Sequence, residues 1–461
     1  MTTGAVDSTT SSSSGGPGSS SGSTTGSADS TSTTTAGETE GTSTGEEPNF
    51  ADPRGYTLFA PLNSRFTYLM DADGMEIHSW ESDVFPANAA YLLENGHLLR
   101  VGRILDSPVE LVSGVGGAIQ EYDWDGNLVW EYEHASATTI AHHDIERLPN
   151  GNVLAIAYEI HTVAEAIQAG RDPDDLDPAG LWADYLVEID PMTDTIVWEW
   201  HVWDHMVQEF DPLVDNFDVV AARPERIDIN WVRPGDAPRP DWTHINAVAY
   251  NADLDQIVLS PRTFSEIWII DHSTTTAEAA GSVGGGAGQG GDLLYRWGNP
   301  ATYQAGGEPE RDLYFQHNPR WISAGKPGAG NLLIFDNGDP VLRPYSRVVE
   351  VETPVQPDGT YPLVGPIWGP VDPAWSYGDV GGFFASFISG ADRLADGRTL
   401  VCSGPDGRLF EVTAGGKVPW DITLSSTMFR AERYEFEYPA WIGLTEDDLA
   451  PNGPLVIDVS P

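Results

Sequence analysis

The chain has 461 residues, and its 23 Lys plus Arg face 70 Asp plus Glu, a formal net charge of −47. A chain this acidic cannot hold a nucleic-acid backbone by releasing counterions, and an anionic membrane surface repels it. Cys402 is the only cysteine, so no internal disulfide and no thiolate metal cluster can form. With 16 Trp, 16 Tyr and 15 Phe there is ample apolar surface for a large core, which excludes global disorder. No run of about 18 apolar residues occurs, so no helical membrane span is expected.

Residues 1–50 are mostly Ser, Thr and Gly, with no Lys, no Arg and no aromatic before Phe50. Such a segment cannot bury enough surface to offset its ordering entropy, so a disordered spacer is expected, followed by one folded unit over 51–461. Ser/Thr spacers of this kind suit exported proteins, periplasmic or at the cell surface. Yet no basic n-region and apolar h-region stand at the start. Two readings stay open: Met1 follows a missing signal or lipid-anchored segment, or the tail belongs to a cytoplasmic protein. Composition favours export.

From about residue 55 one hairpin recurs six times: an apolar strand with an acid at its end, a turn, then a strand ending in Trp. The first runs from Tyr68 through Asp71 to Trp80, the second from Ile119 through Asp123 to Trp130, and the third from Leu186 through Asp190 to Trp198. The fourth runs from Ile267 through Asp271 and a Gly-rich insertion to Trp297. The fifth runs from Val348 to Trp368, and the sixth from Leu409 to Trp420. A second hairpin precedes most copies, often with an Asn-Gly or Asp-Gly turn that supplies the positive φ of a two-residue loop. Two hairpins make a four-stranded sheet, and six such sheets make an all-β, six-bladed β-propeller. In this reading the strand-ending acids accept backbone N–H bonds at turns and the Trp side chains pack between blades. Helical stretches are few, Val163 to Ala169 being the best candidate.

The innermost strand of each blade lines the central channel, so its first residues matter. Three consecutive blades open with histidine: Ala141-His142-His143-Asp144, Asp241-Trp242-Thr243-His244-Ile245-Asn246 and Phe315-Gln316-His317-Asn318. Asn88 and Ser389 stand near that position in blades two and six. His143, His244 and His317 are therefore expected to converge at one mouth of the channel. Arg262, just after the second strand of blade four, can reach the same place and offers a planar fork for a tetrahedral oxyanion. The other histidines read as surface or packing residues. The loops at Tyr314-Phe315, Tyr345 and Phe383-Phe384 suit an aromatic ring or the core equally.

These segments, with Ser260-Pro261-Arg262-Thr263-Phe264-Ser265-Glu266-Ile267, Asn331 to Gly338 and Phe429-Arg430-Ala431-Glu432-Arg433-Tyr434, resemble the bacterial arylsulfate sulfotransferases over roughly residues 55 to 440. The resemblance implies a six-bladed propeller that moves sulfuryl groups between phenols by ping-pong transfer through a sulfated histidine, with no nucleotide cofactor and no metal. By position His317 looks like the nucleophile. His244, Asn246 and Arg262 look like the sulfuryl-binding group, and His143 like the remaining channel histidine, with His142 as its alternative. Ser389 and His142 join Asn246 as expected substrate contacts. The expected partners are small phenols and aryl sulfates; oligomeric state is not readable. Asn318 stands where Asp is frequent in the family, Pro261 where a small polar residue is usual, and no N-terminal sandwich is expected before the propeller.

Two rivals stand beside this reading. Three histidines could bind a divalent metal for hydrolysis, although only Asp144 supplies a neighbouring acid. The propeller could also bind ligands without catalysis. Nucleotide-dependent transfer is disfavoured, because the one glycine run, Gly281 to Gly291, has no Lys and sits inside a β unit, where a flexible surface insertion is expected.

Overall fold

Six antiparallel sheets of four main strands account for nearly all the regular structure of the computed structural model, which describes residues 55–104 and 114–459. The Ser/Thr/Gly-rich tail lies outside those residues. Each sheet runs outward in chain order from an innermost strand. In blades two to six these inner strands are Pro86–Leu92, Thr139–Arg147, Ile245–Asn251, His317–Trp321 and Gly390–Arg393. Blade one is closed by the far end of the chain. Its inner strand, Met428–Tyr434, pairs antiparallel with Tyr56–Pro61, with Ala431 opposite Phe59. The six inner strands touch one another in a closed ring. The architecture is the expected six-bladed propeller, and among the described residues helix is confined to short segments such as Val163–Gln168 and Thr276–Ala279.

The core is a set of wedges between neighbouring blades. One joins Leu154, Ile156, Leu186 and Trp200 of blade three to Ile257, Leu259, Trp268 and Ile270 of blade four. Another joins Phe59, Tyr68 and Met70 of blade one to Cys402 and Leu409 of blade six. Middle strands covered on both faces must be apolar on both faces, which is why Ile267–Asp271 and Leu332–Asp336 read as unbroken apolar runs.

The repeated tryptophans do more than fill these wedges. Each indole N–H donates to the outer hairpin of the next blade: Trp80 to the Asp123 carbonyl, Trp130 to Asp194, Trp198 to Thr274, Trp297 to the Pro370 carbonyl, Trp375 to the Ala414 carbonyl, and Trp420 to the Ala72 carbonyl. The last bond runs from blade six to blade one, so the series closes on itself.

Three expectations need correction. Blade five is completed by Trp375–Tyr377, not by a strand ending at Trp368. Trp368 is buried in the connection against Tyr295 and Tyr303. That connection carries Pro354, Pro357, Pro362, Pro366, Pro370 and Pro373, and residues without an N–H cannot extend a ladder. The turn role of the acids holds for Asp71, Asp123, Asp190 and Asp271, which accept backbone N–H bonds at 2.8–2.9 Å. It fails for Glu350 and Glu411, which lie within strands and bind Arg393, and Arg398 with Arg433. The Gly281–Gly291 insertion is a tied loop: Gly290 N–H reaches Gly284, and the Gly291 carbonyl accepts the Trp200 indole.

Replacing Trp420 with Phe keeps the packing but removes the donor that links blade six to blade one. The expected loss is about 1 kcal/mol, read as a lower urea midpoint; an unchanged midpoint would show that this bond does not help to close the ring.

Candidate functional site

The inner ladders of blades two to five are each interrupted by a bulge near the start of the strand, between Pro86 and Ala90, Ala141 and Ile145, Ile245 and Val248, and His317 and Arg320. Bulges bend a strand and re-aim its side chains. Within or beside these bulges, His143, His244, Phe315 and Asn318 hold positive φ values of 51–55°. Counting back two residues from the pair that resumes each ladder gives Asn88, His143, Asn246 and Asn318. The three histidines therefore do not share the common register read from the sequence; His317 and His244 precede the equivalent position by one and two residues. The N–H groups freed in blade four are met by carboxylates of blade three: Asp184 accepts from Ile245 at 3.0 Å and Asp144 from Val248 at 3.1 Å.

The irregular backbone brings the imidazoles together. The His143 and His244 ring centroids are 4.7 Å apart, and Phe429 of the closing strand lies 6.1 Å from His143 and 6.2 Å from His317. His317 is 2% exposed. Its Nδ1 lies 2.7 Å from Asn337 Oδ1 and 3.1 Å from the Phe315 carbonyl, both acceptors. Asn337 cannot be turned over, because its amide nitrogen donates to the Ala385 and Ile388 carbonyls at 2.7 and 2.8 Å. The proton therefore sits on Nδ1, and Nε2 carries the free lone pair. Burial first, then the positive charge of Arg262, pushes His317 well below the ordinary histidine range, so it is neutral at pH 7.

His244 forms a different arrangement. Its Nδ1 lies 2.5 Å from Asp241 Oδ2, leaving Nε2 to exchange a proton. Burial opposes charge on Asp241, but His244 and the hydrogen bond to it hold the carboxyl below its usual range. His143 is lowered well below the ordinary value, by burial and then by His244, His142, His317 and Arg262. Its Nδ1 is 2.7 Å from Nδ1 of His142, whose Nε2 is 2.8 Å from Asp184. His142 stacks on Tyr158 at 3.6 Å, behind the site. Of the two neighbours, it is thus His143 that meets His244.

Arg262 is half-buried and receives no hydrogen bond or ion pair through its guanidinium among the described residues. Its Cζ lies 4.6 Å over the Phe315 ring, whose contacts also include Arg233 Cζ at 4.7 Å. Burial lowers its pKa to about 10, so it stays charged at neutral pH. Arg262, Thr263 and Phe315 line a cavity of about 330 Å³. The three imidazoles do not line it. They adjoin it through these residues: Arg262 N–H donates to the His244 carbonyl at 3.1 Å, and the Phe315 carbonyl meets His317. Among the described residues, no group of three or more His, Cys, Asp or Glu side chains is arranged to hold a metal ion.

The other expected substrate contacts are buried. The Asn246 amide nitrogen donates to the Gln316 carbonyl at 2.9 Å and so positions the strand that carries His317, while its Oδ1 has no hydrogen-bond partner among the described residues. Ser389 accepts the Gly404 N–H. His142 Nδ1 meets His143, and its Nε2 lies 2.8 Å from the Asp184 carboxylate. The two departures from the family pattern are structural: Asn318 accepts the Ala391 N–H, and Pro261 pairs with Ile245 in the ladder. Of the aromatic loops, Phe315 lines the cavity, whereas Phe383 packs against Phe335 and Phe410. Asp241, Asn337 and Phe429 lie in segments quoted from sequence but were given no role there, and Asp184 was not noted. An aspartate three residues before His244 was the one local signal available.

The family profile described as Arylsulfotransferase (ASST) matches residues 55–418. Two curated relatives, each named arylsulfate sulfotransferase AssT, are 26% identical in Escherichia coli O6:H1 and 25% identical in Lelliottia amnigena, each over 75% of this chain. The match covers 58% of the length of each relative. Among solved structures, a protein of unknown function from Bacteroides caccae aligns over 82% of this chain and 98% of its own, with 12% identity and a TM-score of 0.44.

The depressed values of His143 and His317 carry a stability signature. In the unfolded chain both protonate below about pH 6.5, while the folded chain keeps them neutral. Their contribution is complete above that pH and is lost as pH falls toward the folded values. The thermal midpoint is expected to drop below pH 6.5, and His317→Gln to flatten part of that drop, by at most about 1.4 kcal/mol per pH unit. Parallel curves for the two proteins would mean that His317 is protonated in the fold.

Proposed function

Because the chain belongs to the arylsulfotransferase family, we propose that it transfers a sulfuryl group from an aryl sulfate to a phenol through a sulfated His317, without a nucleotide. The observation that carries this reading is the pairing of a neutral imidazole of fixed tautomer with a guanidinium that has no carboxylate partner. Arg171 spends its guanidinium on backbone carbonyls, whereas that of Arg262 has no acceptor among the described residues, and beside a buried nucleophile it serves an incoming anion.

In the first half-reaction His317 Nε2 attacks sulfur, the N–S bond forms and the bond from sulfur to the aryl oxygen breaks. The charge that grows on the equatorial sulfuryl oxygens is met by Arg262. The departing phenolate takes a proton from Nε2 of His244, whose imidazolium form is stabilised by Asp241. His317 keeps its Nδ1 proton throughout, and Asn337 Oδ1 accepts from it while the ring carries positive charge. In the second half-reaction an acceptor phenol gives its proton back to His244, its oxygen bonds to sulfur and the N–S bond breaks. His143 forms the neutral wall against which His244 packs, so the proton taken up there has no competing base of ordinary strength beside it.

Mixing the protein with 4-nitrophenyl sulfate and phenol tests the proposal. Nitrophenolate release that depends on phenol supports transfer, release without phenol points to a sulfatase, and none at all favours a binding module. His317→Ala is expected to abolish release and the covalent adduct bearing one sulfuryl group; full activity removes His317 as nucleophile. Arg262→Gln is expected to slow both half-reactions by about 10²–10³-fold. Asn337→Leu is expected to lower kcat with little change in KM, since it frees the His317 tautomer without touching the anion's seat; an unchanged kcat would show that the tautomer needs no partner.

A further inference from the structure

The cavity above the histidines has an unusual charge for this protein. Four arginines and two aspartates line it, leaving two positive charges in a chain whose net charge is −47. Of the four cations, two are committed. Arg171 directs its guanidinium at the Asp175 and Ile229 carbonyls, and Arg233 is paired with Asp339 and Asp236. Two remain. Among the described residues Arg262 has no ion pair, and Arg239 meets only Asp236, at 3.9 Å, with its side chain 56% exposed. After burial, Asp241 favours the charge on Arg262 while Arg239 and Arg233 oppose it, so the cations around the hollow repel one another. An anion between them relieves that repulsion.

A single sulfate satisfies Arg262 and leaves Arg239 unmatched. The wall also carries the apolar surfaces of Trp231, Trp242, Pro238 and Pro340. A volume of about 330 Å³ suits a substituted single ring. We infer that the aryl substrate carries a second anionic group, a carboxylate on the ring or its side chain, which Arg239 binds at the rim while the phenolic oxygen or sulfate points toward Arg262. This rests on the sulfuryl-transfer reading and names the substrate class within it: acidic phenols and their sulfate esters. The second contact is a binding contact only and takes no part in the bond changes at sulfur.

Calorimetric titration of the full chain at low ionic strength, with 4-hydroxyphenylacetate and with its methyl ester, tests the inference. The two differ in one charge and little in the phenol. The acid is expected to bind about three- to fivefold more tightly, the range for a partly exposed ion pair, and Arg239→Gln is expected to bring the ratio to about one. Equal affinities in the unaltered protein, a preference that survives Arg239→Gln, or failure of both compounds to bind would each overturn it. Transfer to plain phenol is measured separately: if phenol accepts the group and the acid shows no advantage, the inference falls and the sulfuryl-transfer reading stands. If phenol accepts nothing while the acid still binds through Arg239, the sulfuryl-transfer reading falls and the cavity is only a binding site for acidic phenols.

Discussion

Closure of the ring is the constraint on which everything else depends. His143, His244 and His317 stand on three neighbouring blades, and completing the six-sheet ring sets the last inner strand against two of them. Two kinds of contact close that ring. Strand pairing between Tyr56–Pro61 and Met428–Tyr434 joins the first and last parts of the propeller, and the cycle of indole donors fixes the spacing of each blade to the next. The closing strand also reaches the site, because its Phe429 packs beside His143 and His317.

Within that frame, the chemistry comes from controlling charge in an acidic molecule. Carboxylates are abundant, but near the histidines each has a defined task. Asp241 faces His244, Asp184 faces His142 and the Ile245 N–H, and Asp144 receives the Val248 N–H and pairs with Arg430. His317 instead faces a neutral amide, Asn337. An aspartate in that place would favour the imidazolium and remove the lone pair that a nucleophile needs. In the proposed transfer, an amide at one imidazole and a carboxylate at another divide the roles of nucleophile and proton carrier.

Much of the fold was legible because a propeller repeats. Alternating apolar runs, Asn-Gly turns and recurring tryptophans identified blades one to four and six, and failed in blade five only where six prolines displaced the outer strand from Trp368 to Trp375. The site was legible in residue type but not in register. Bulges shift the histidines by one and two residues relative to one another, and no periodic pattern encodes a bulge. Asn246, Ser389 and His142 carry the polar groups expected at a substrate site, yet their partners are backbone or second-layer groups that sequence spacing cannot reveal. The cavity wall from Trp231 to Trp242 lies in an irregular loop, where neither periodicity nor turn chemistry marks a residue as lining a hollow.

The closing strand has a consequence for biosynthesis. Phe429 packs beside both His143 and His317, and it belongs to the last inner strand to leave the ribosome. Until about residue 434 has emerged, blade one lacks its axial strand and the two imidazoles lack the ring between them. A nascent chain with five blades in place therefore has an unfinished histidine cluster, which gains its aromatic wall only when Met428–Tyr434 pairs with Tyr56–Pro61.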